Sequence, residues 1–397
     1  MYGMDDRTCA YLRGRFGDHY RRSDIPQPPS AYNREWGYIL WQAGTGTTMI
    51  RHQSLTELGQ IEEFLAREKP RHVYYSAGYY QDPGASSMAE KHWNGADLIF
   101  DLDADHLPDV NPDTETYEAM LAACKDELFR LIALLEGDLG FDDLDIVFSG
   151  GRGYHVHVRN EAVQSLDRRA RRDIVEYIRG EGLSIESILT IGHVQGMGRA
   201  TPAQTRQLDI SGGWSKRVHT EVMDYVETVT ALPEGDALEN LQTIDGIGPR
   251  KAESIYAAMS AHGDQLEAGN IDVHPAFVSV LESLLSRTIR RNSAAIDEPV
   301  TTDVNRLIRL PGSLHGGSGL VVTPIVPDLL DEFDPLVDAI PSTFREHEIA
   351  VELPEPVQTN IGNVGRNLAA GKHRVPEYVA MHLMARDEAT KIPESAI

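Results

Sequence analysis

The feature that most limits what this chain can fold into is Asp101-Leu102-Asp103, which closes the mostly apolar run Ala96-Asp97-Leu98-Ile99-Phe100 and precedes Ala104-Asp105-His106-Leu107-Pro108. Such a run predicts a buried strand. In a strand residues i and i+2 project from one face, so Asp101 and Asp103 aim two carboxylates at one point. Carboxylates at the end of a hydrophobic strand are costly unless something cationic neutralises them. Two hard oxygen ligands side by side make half of a magnesium site. A third carboxylate from elsewhere would complete a site for two cations, of the kind that activates an attacking oxygen and stabilises a leaving one in phosphoryl transfer. An isolated Asp-x-Asp equally suits a solvated turn or a cap. The phosphate-transfer reading therefore requires phosphate-binding groups from other segments.

One such segment is Val147-Phe148-Ser149-Gly150-Gly151-Arg152-Gly153-Tyr154-His155-Val156-His157-Val158. A strand enters a Gly-rich turn and a second strand leaves it, with His155 and His157 on one face and Tyr154, Val156 and Val158 on the other. The glycines let the backbone approach a phosphate, and Ser149, Arg152 and His155 supply a hydroxyl, a forked cation and an imidazole donor. Glycines alone would signal only a turn; Arg with two inward His favours a triphosphate site.

A further segment runs from Ile296-Asp297-Glu298-Pro299 through Asp303-Val304-Asn305-Arg306-Leu307-Ile308-Arg309-Leu310-Pro311-Gly312-Ser313-Leu314-His315. The spacing of Val304, Leu307 and Ile308 predicts a helix that carries Arg306 and Arg309 on another face and stops at Pro311-Gly312. Asp303 suits the N-cap of that helix, which leaves Asp297 as the better third metal ligand.

Composition sets outer bounds. At 397 residues the chain has room for two or three domains, or one large core with insertions. It has no run of 18 or more apolar residues, and Met1-Tyr2-Gly3-Met4-Asp5-Asp6-Arg7 lacks the basic and apolar parts of a signal peptide, so a cytoplasmic protein with no membrane partner is expected. Cys9 and Cys124 allow neither a disulfide framework nor a Cys-rich zinc cluster. The net charge of −24 disfavours wholesale wrapping of nucleic acid. It suits a salty cytoplasm, where screening over about 3 Å at 1 M hides the global charge while a basic or metal-filled cleft still attracts phosphate.

Along the chain, strand patterns at 36–41, 47–51 and 73–79 and helical patterns at 58–68 and 113–136 predict a mixed α/β core. Short helices and acidic linkers between 222 and 271 look inserted. Strand and helix patterns resume to about 350, and 351–397 is expected to be a linker followed by a helix over 377–389. The resulting division is a core of 1–221 with 272–350, an inserted helical segment at 222–271 and a C-terminal piece.

Together, Asp101-Leu102-Asp103, Ser149-Gly150-Gly151-Arg152-Gly153-Tyr154-His155 and Asp297 with Arg309-Leu310-Pro311-Gly312-Ser313-Leu314-His315 resemble the catalytic small subunit of archaeal and eukaryotic DNA primases. Arg34-Glu35-Trp36-Gly37-Tyr38, Met49-Ile50-Arg51-His52-Gln53-Ser54 and Tyr75-Ser76-Ala77-Gly78 add to the resemblance, which spans most of 30–325 in the family's order. It implies a primase-type core of mixed sheets flanked by helices and a metal-dependent nucleotidyltransferase making short RNA primers on single-stranded DNA. Asp101, Asp103 and Asp297 then become ligands of two Mg2+ or Mn2+ ions. Ser149, Arg152, His155, Arg309 and His315 become contacts to the incoming nucleoside triphosphate, and the implied partner is a large primase subunit. Where the family commonly has a zinc knuckle, this chain has only Cys124 with His106 nearby, so no structural zinc is expected, and Cys124 has the spacing of a core residue.

Leu241-Gln242-Thr243-Ile244-Asp245-Gly246-Ile247-Gly248-Pro249-Arg250-Lys251 resembles a helix-hairpin-helix, whose Gly246 and Gly248 turn, Arg250 and Lys251 suit a DNA phosphate or a packing contact equally. Two other functions fit parts of the pattern. A repair or end-joining polymerase could use the same triad to extend existing ends, and a catalytically idle DNA-binding subunit would not need it.

Overall fold

The computed structural model describes residues 4–43, 47–112, 114–194 and 203–397. The chain divides into two units, one of Met1–Phe129, Phe141–Val175 and Ala295–Ile397, the other of Arg130–Gly140 and Glu176–Ala294. The mixed α/β class expected from the sequence is the class observed.

The first unit is organised by two four-stranded antiparallel sheets. One has the order Leu307–Arg309, His72–Ser76, Trp36–Ile39, Met49–Gln53. The other has the order Thr323–Ile325, Leu144–Phe148, Gly153–Val158, Leu98–Asp103. In the second sheet Phe100 pairs with Val156, Asp101 with His155, Leu102 with Tyr154 and Asp103 with Gly153. The alternation read from the sequence holds. Leu98, Phe100 and Leu102 are fully buried on one face, where the helix Tyr117–Gly137 brings the Cys124 thiol to 3.5 Å from Leu102 O. Cys124 is thus a core residue, 0% exposed. The opposite face carries Asp101 and Asp103, and its apolar member Ile99 clusters with Ala77, Val300 and Ile308.

Gly153 makes this pairing possible. A Cβ there would lie 1.8 Å from Leu102 O, so only glycine lets the Gly-rich turn close against the carboxylate strand.

The helix expected over 303–310 does not form. Glu298–Thr302 is the helix, Asp303 is its C-cap rather than an N-cap, and Leu307–Arg309 is an edge strand paired with Tyr74, Tyr75 and Ser76. The apolar spacing at 304, 307 and 308 covers barely one turn and cannot distinguish helix from strand, while Pro311 restricts Leu310 to extended backbone. Asp303 instead accepts the Asn305 N–H at 3.0 Å, forming a turn into the strand. The 58–68 pattern is broken at Gly59 (φ +83°) into Leu55–Leu58 and Ile61–Glu68. The expected C-terminal linker is largely strand: Glu348–Leu353 lies between Gly371–Pro376 and Thr390–Lys391, and Val357–Thr359 pairs with Arg366–Leu368. The tail helix spans Glu377–Ala385.

The second unit contains the antiparallel pair Leu189–Val194 and Ala203–Leu208 and the helices Gly213–Ala231, Glu234–Gln242, Pro249–Ala261, Gly263–Glu267 and Phe277–Asn292. The 222–271 segment lies within it. Glu234–Gln242 and Pro249–Ala261 form the helical hairpin, with Gly246 at φ +76°, Gly248 as N-cap and Pro249 in the first turn.

Two glycine substitutions test this packing. Gly153→Ala should destabilise the protein by about 2 kcal/mol or more, because the methyl meets backbone rather than a yielding side chain. Gly14→Ala, in a helix interior with open space around its Cβ, should be neutral or stabilising by up to about 1 kcal/mol. Thermal unfolding of the two variants beside the parent protein provides the measurement, and equal effects would count against the strand pairing.

Candidate active site

Asp101 ends its run of buried neighbours half-buried at the floor of an open cleft of about 500 Å³, with Arg51, Tyr74, His155, Asn305, Arg306 and Arg309 among its walls. His155, its cross-strand partner, brings Nε2 to 3.3 Å from Asp101 Oδ1. Burial opposes ionisation of Asp101, but His155, Arg309 and Arg306 outweigh it and hold the carboxyl below the ordinary aspartate range. Asp297 is delivered by a backbone bond, its N–H donating to Asp101 O at 2.9 Å. Its carboxyl caps no helix N–H. Burial, and then the charges of Asp101 and Asp103, push the Asp297 carboxyl up. Asp103 accepts the Asp105 N–H at 3.1 Å.

The three acids from distant sequence positions are therefore neighbours. Among the described residues, however, no three His, Cys, Asp or Glu side chains form a preassembled metal cage. The donor set does fit divalent cations: the oxygens are hard, and Asp297 feels the repulsion of the other two carboxylates, which a cation would relieve.

A second cluster is built on the glycine turn. Ser149 N–H donates to Gly153 O at 2.9 Å, Ser149 Oγ accepts the Gly151 N–H at 3.3 Å, and Gly150 has φ +75°. His315 lies against this turn, its Cβ 2.7 Å from where a Cβ on Gly150 would sit and its Nε2 3.3 Å from one on Gly151. Arg152 is ion-paired with Asp105, so an anion bound here competes with that carboxylate. Arg309 stacks over Tyr74 at 5.8 Å, and its buried Nε has no hydrogen-bond partner among the described residues.

Two members of this cluster carry no sequence motif: Arg71 and His72. The His72 and His315 rings are 4.9 Å apart, edge to face. Nδ1 of His72 accepts the Gly316 N–H at 3.4 Å and Nδ1 of His315 accepts the Gly317 N–H at 3.2 Å, which leaves the proton on each Nε2. Burial, followed by the nearby arginines Arg309 and Arg71, pulls both imidazoles well below the usual histidine range. They are neutral donors. Only the fold, by pairing His72–Ser76 with Leu307–Arg309, places the first near the second. Arg306, set aside in the sequence as a helix-face residue, is a wall of the cleft. His157, expected to point with His155 toward phosphate, is instead fully buried, and burial, then His155 and Arg34, pushes it down to about 3.

A larger cavity, about 630 Å³, lies behind the turn, lined in part by Tyr117, His382 and Arg386. Side chains brace the turn: Tyr117 donates to Gly151 O, Ser318 donates to Gly150 O, and His382 Nδ1–H donates to Ser318 O at 2.8 Å. All eight residues singled out as acids or nucleotide contacts fall in the first unit, whereas Gly246, Gly248, Arg250 and Lys251 fall in the second.

A family model of the DNA primase small subunit matches residues 100–327, a span that includes all eight residues singled out above as acids or nucleotide contacts. The chain belongs to that family. It is 55% identical over 389 residues to the DNA primase small subunit PriS of Haloarcula marismortui, covering 98% of this chain and 99% of the relative. It is 50% identical over 391 residues to that of Halobacterium salinarum, covering 98% and 100%. The corresponding protein of Methanocella arvoryzae is 40% identical over 405 residues, covering 98% and 100%.

The neutral histidines set a pH dependence. Their folded-state pKa values lie below the unfolded value of about 6.5, so the unfolded chain binds more protons and stability is lost as pH falls through and below 6.5, with no effect above it. Each contributes a slope approaching about 1.4 kcal/mol per pH unit in that window. Denaturant unfolding between pH 7.5 and 5 should show His315→Gln with the shallower dependence; an unchanged slope would mean that His315 is not held neutral.

Proposed function

We infer that this chain is the catalytic subunit of a DNA primase, joining nucleoside triphosphates into short RNA primers on single-stranded DNA. The observation that carries the reading is the adjacency of Asp101, Asp103 and Asp297 to an anion cradle made from the Ser149–Arg152 turn, Arg309 and His315. A nuclease needs the acids alone. Only transfer from a triphosphate needs both.

In this reading Asp101, Asp103 and Asp297 hold two Mg2+ or Mn2+ ions. When bound, these supply activation of the attacking 3′-hydroxyl and neutralisation of phosphate charge. The protein's own groups bind and orient the triphosphate. Backbone N–H groups of the glycine turn and Ser149 contact its oxygens, Arg152 leaves Asp105 to form a forked contact, and Arg309 contributes its unpartnered Nε. His315 donates from Nε2 without adding a charge that titrates near neutral pH, so its hydrogen bond to the leaving pyrophosphate persists over the working range. His155 orients Asp101.

A large primase subunit and a single-stranded template are the partners this assignment calls for. The hairpin in the second unit is a candidate template contact through Arg250 and the N-terminus of Pro249–Ala261; Lys251 is partly engaged, its Nζ bonded to Gly246 O at 2.9 Å.

The test is synthesis by the purified chain, alone and with its large subunit, on unprimed single-stranded DNA with labelled nucleotides and Mg2+ or Mn2+. Products on the unprimed template that disappear in Asp101→Ala are expected. Extension of primed DNA alone, even with the large subunit present, would assign a repair polymerase instead. Arg152→Ala should raise the nucleotide KM about 10- to 100-fold, the value of one charge-assisted contact, while leaving the fold intact. An unchanged nucleotide dependence would remove Arg152 from the cradle.

A further inference from the structure

A second groove, about 470 Å³, adjoins the catalytic cleft, with Arg168, Glu298, Thr302 and Arg306 among its walls. The two hollows share Asp303, Asn305 and Arg306. The shared residues make the two hollows continuous. Glu298, Pro299 and Thr302 line the groove alone, Leu307, Ile308 and Arg309 line the cleft alone, and Arg309 acts on His72 and His315 in the anion cradle. Asp101 feels both Arg309 and Arg306, and it lines the cleft but not the groove.

In-line displacement at phosphorus puts the attacking oxygen opposite the leaving group. With the triphosphate at the Arg309 end, the strand that carries the attacking hydroxyl arrives from the Arg306 end. The groove's charges suit it. Its acids are engaged, Glu298 with Arg172 at 3.2 Å and Asp303 with the Asn305 N–H at 3.0 Å. Arg168 is exposed, and its side chain makes no ion pair or hydrogen bond among the described residues. In a chain with 61 acidic and 37 basic residues, a free arginine in a groove that adjoins the cleft holding Asp101 runs against the general charge. Polyanion binding needs such local concentration.

We propose that this groove is the seat of the growing strand: the sugar-phosphate backbone just 5′ of the reacting 3′ end lies along it, with Arg306 nearest the reaction and Arg168 one step farther out. The proposal rests on the nucleotidyl-transfer reading of the adjoining cleft and adds the path by which the product leaves it. Contacts here go to phosphate, so they fix position without selecting sequence.

The experiment compares Arg168→Gln with Arg169→Gln, an equal loss of charge on the same exposed helix start but outside the groove lining, and with Arg168→Lys. Elongation of a primed template and its binding, by fluorescence anisotropy, are followed over a salt series. Arg168→Gln should raise the primed-template concentration for half-maximal elongation about three- to tenfold, leave the nucleotide KM unchanged, and lower the slope of log affinity against log salt by about 0.7 to 0.9. Arg168→Lys should retain most of the affinity. A variant that behaves like Arg169→Gln, or one that moves the nucleotide KM instead, overturns the proposal. If the parent protein incorporates no nucleotide, the transfer reading fails, and the binding series still decides whether the groove holds a nucleic acid backbone.

Discussion

Three carboxylates held within reach of one another are electrostatically unfavourable, and much of the first unit is arranged around that cost. Asp101 and Asp103 are fixed by the pleat of one strand, and Asp297 is tied to the same strand by the bond from its N–H to Asp101 O. Partial compensation is built in. His155 meets Asp101 from the neighbouring strand, and Arg306 and Arg309 approach it from a single short segment. The balance is unequal, because the Asp101 carboxyl is held below the ordinary aspartate range while that of Asp297 is pushed above it. Under the proposed assignment, the carboxylate repulsion left over would be relieved by cations. The opposite face of the strand, buried against Cys124 and its helix, gives the acids a rigid base.

The charge pattern of the chain as a whole and that of the site point in opposite directions, and screening reconciles them. At 1 M salt the Debye length is about 3 Å, so a net charge of −24 repels a nucleotide only at contact distance. Long-range attraction is lost equally, so an anion must be held by groups that touch it. The cradle has that character: turn N–H groups, a hydroxyl, two neutral imidazoles and arginines braced by aromatic or carboxylate neighbours. None of these depends on a field reaching across solvent.

What could be read from the sequence follows from the range of the interactions involved. The carboxylate pair, the face assignment of His155 and the glycine turn depend on strand alternation and on local backbone geometry, both of which repeat over two residues. The edge strand at 307–309 depends on a partner, His72–Ser76, more than 200 residues away in sequence, and its three residues are too few to outweigh a coincidental helical spacing. Asp303 is ambiguous for the same reason, because an aspartate before an apolar residue suits either a cap or a turn. Arg71 and His72 had no local signature at all. A lone basic pair beside a strand becomes part of a site only when that strand is paired with the segment leading to His315.

The two imidazoles show why that pairing matters chemically. A donor favours the transfer only if it binds the departing pyrophosphate more tightly than the substrate triphosphate. Neutral donors whose Nδ1 atoms are already occupied by Gly316 and Gly317 N–H groups have one proton each to offer, in one direction. In the proposed transfer such a donor would strengthen its bond as charge accumulates on the leaving oxygen, with no reorganisation needed. The His-Gly-Gly-Ser-Gly loop from His315 to Gly319 therefore does more than turn the chain: its amides set the tautomers of His72 and His315 and so aim their donors.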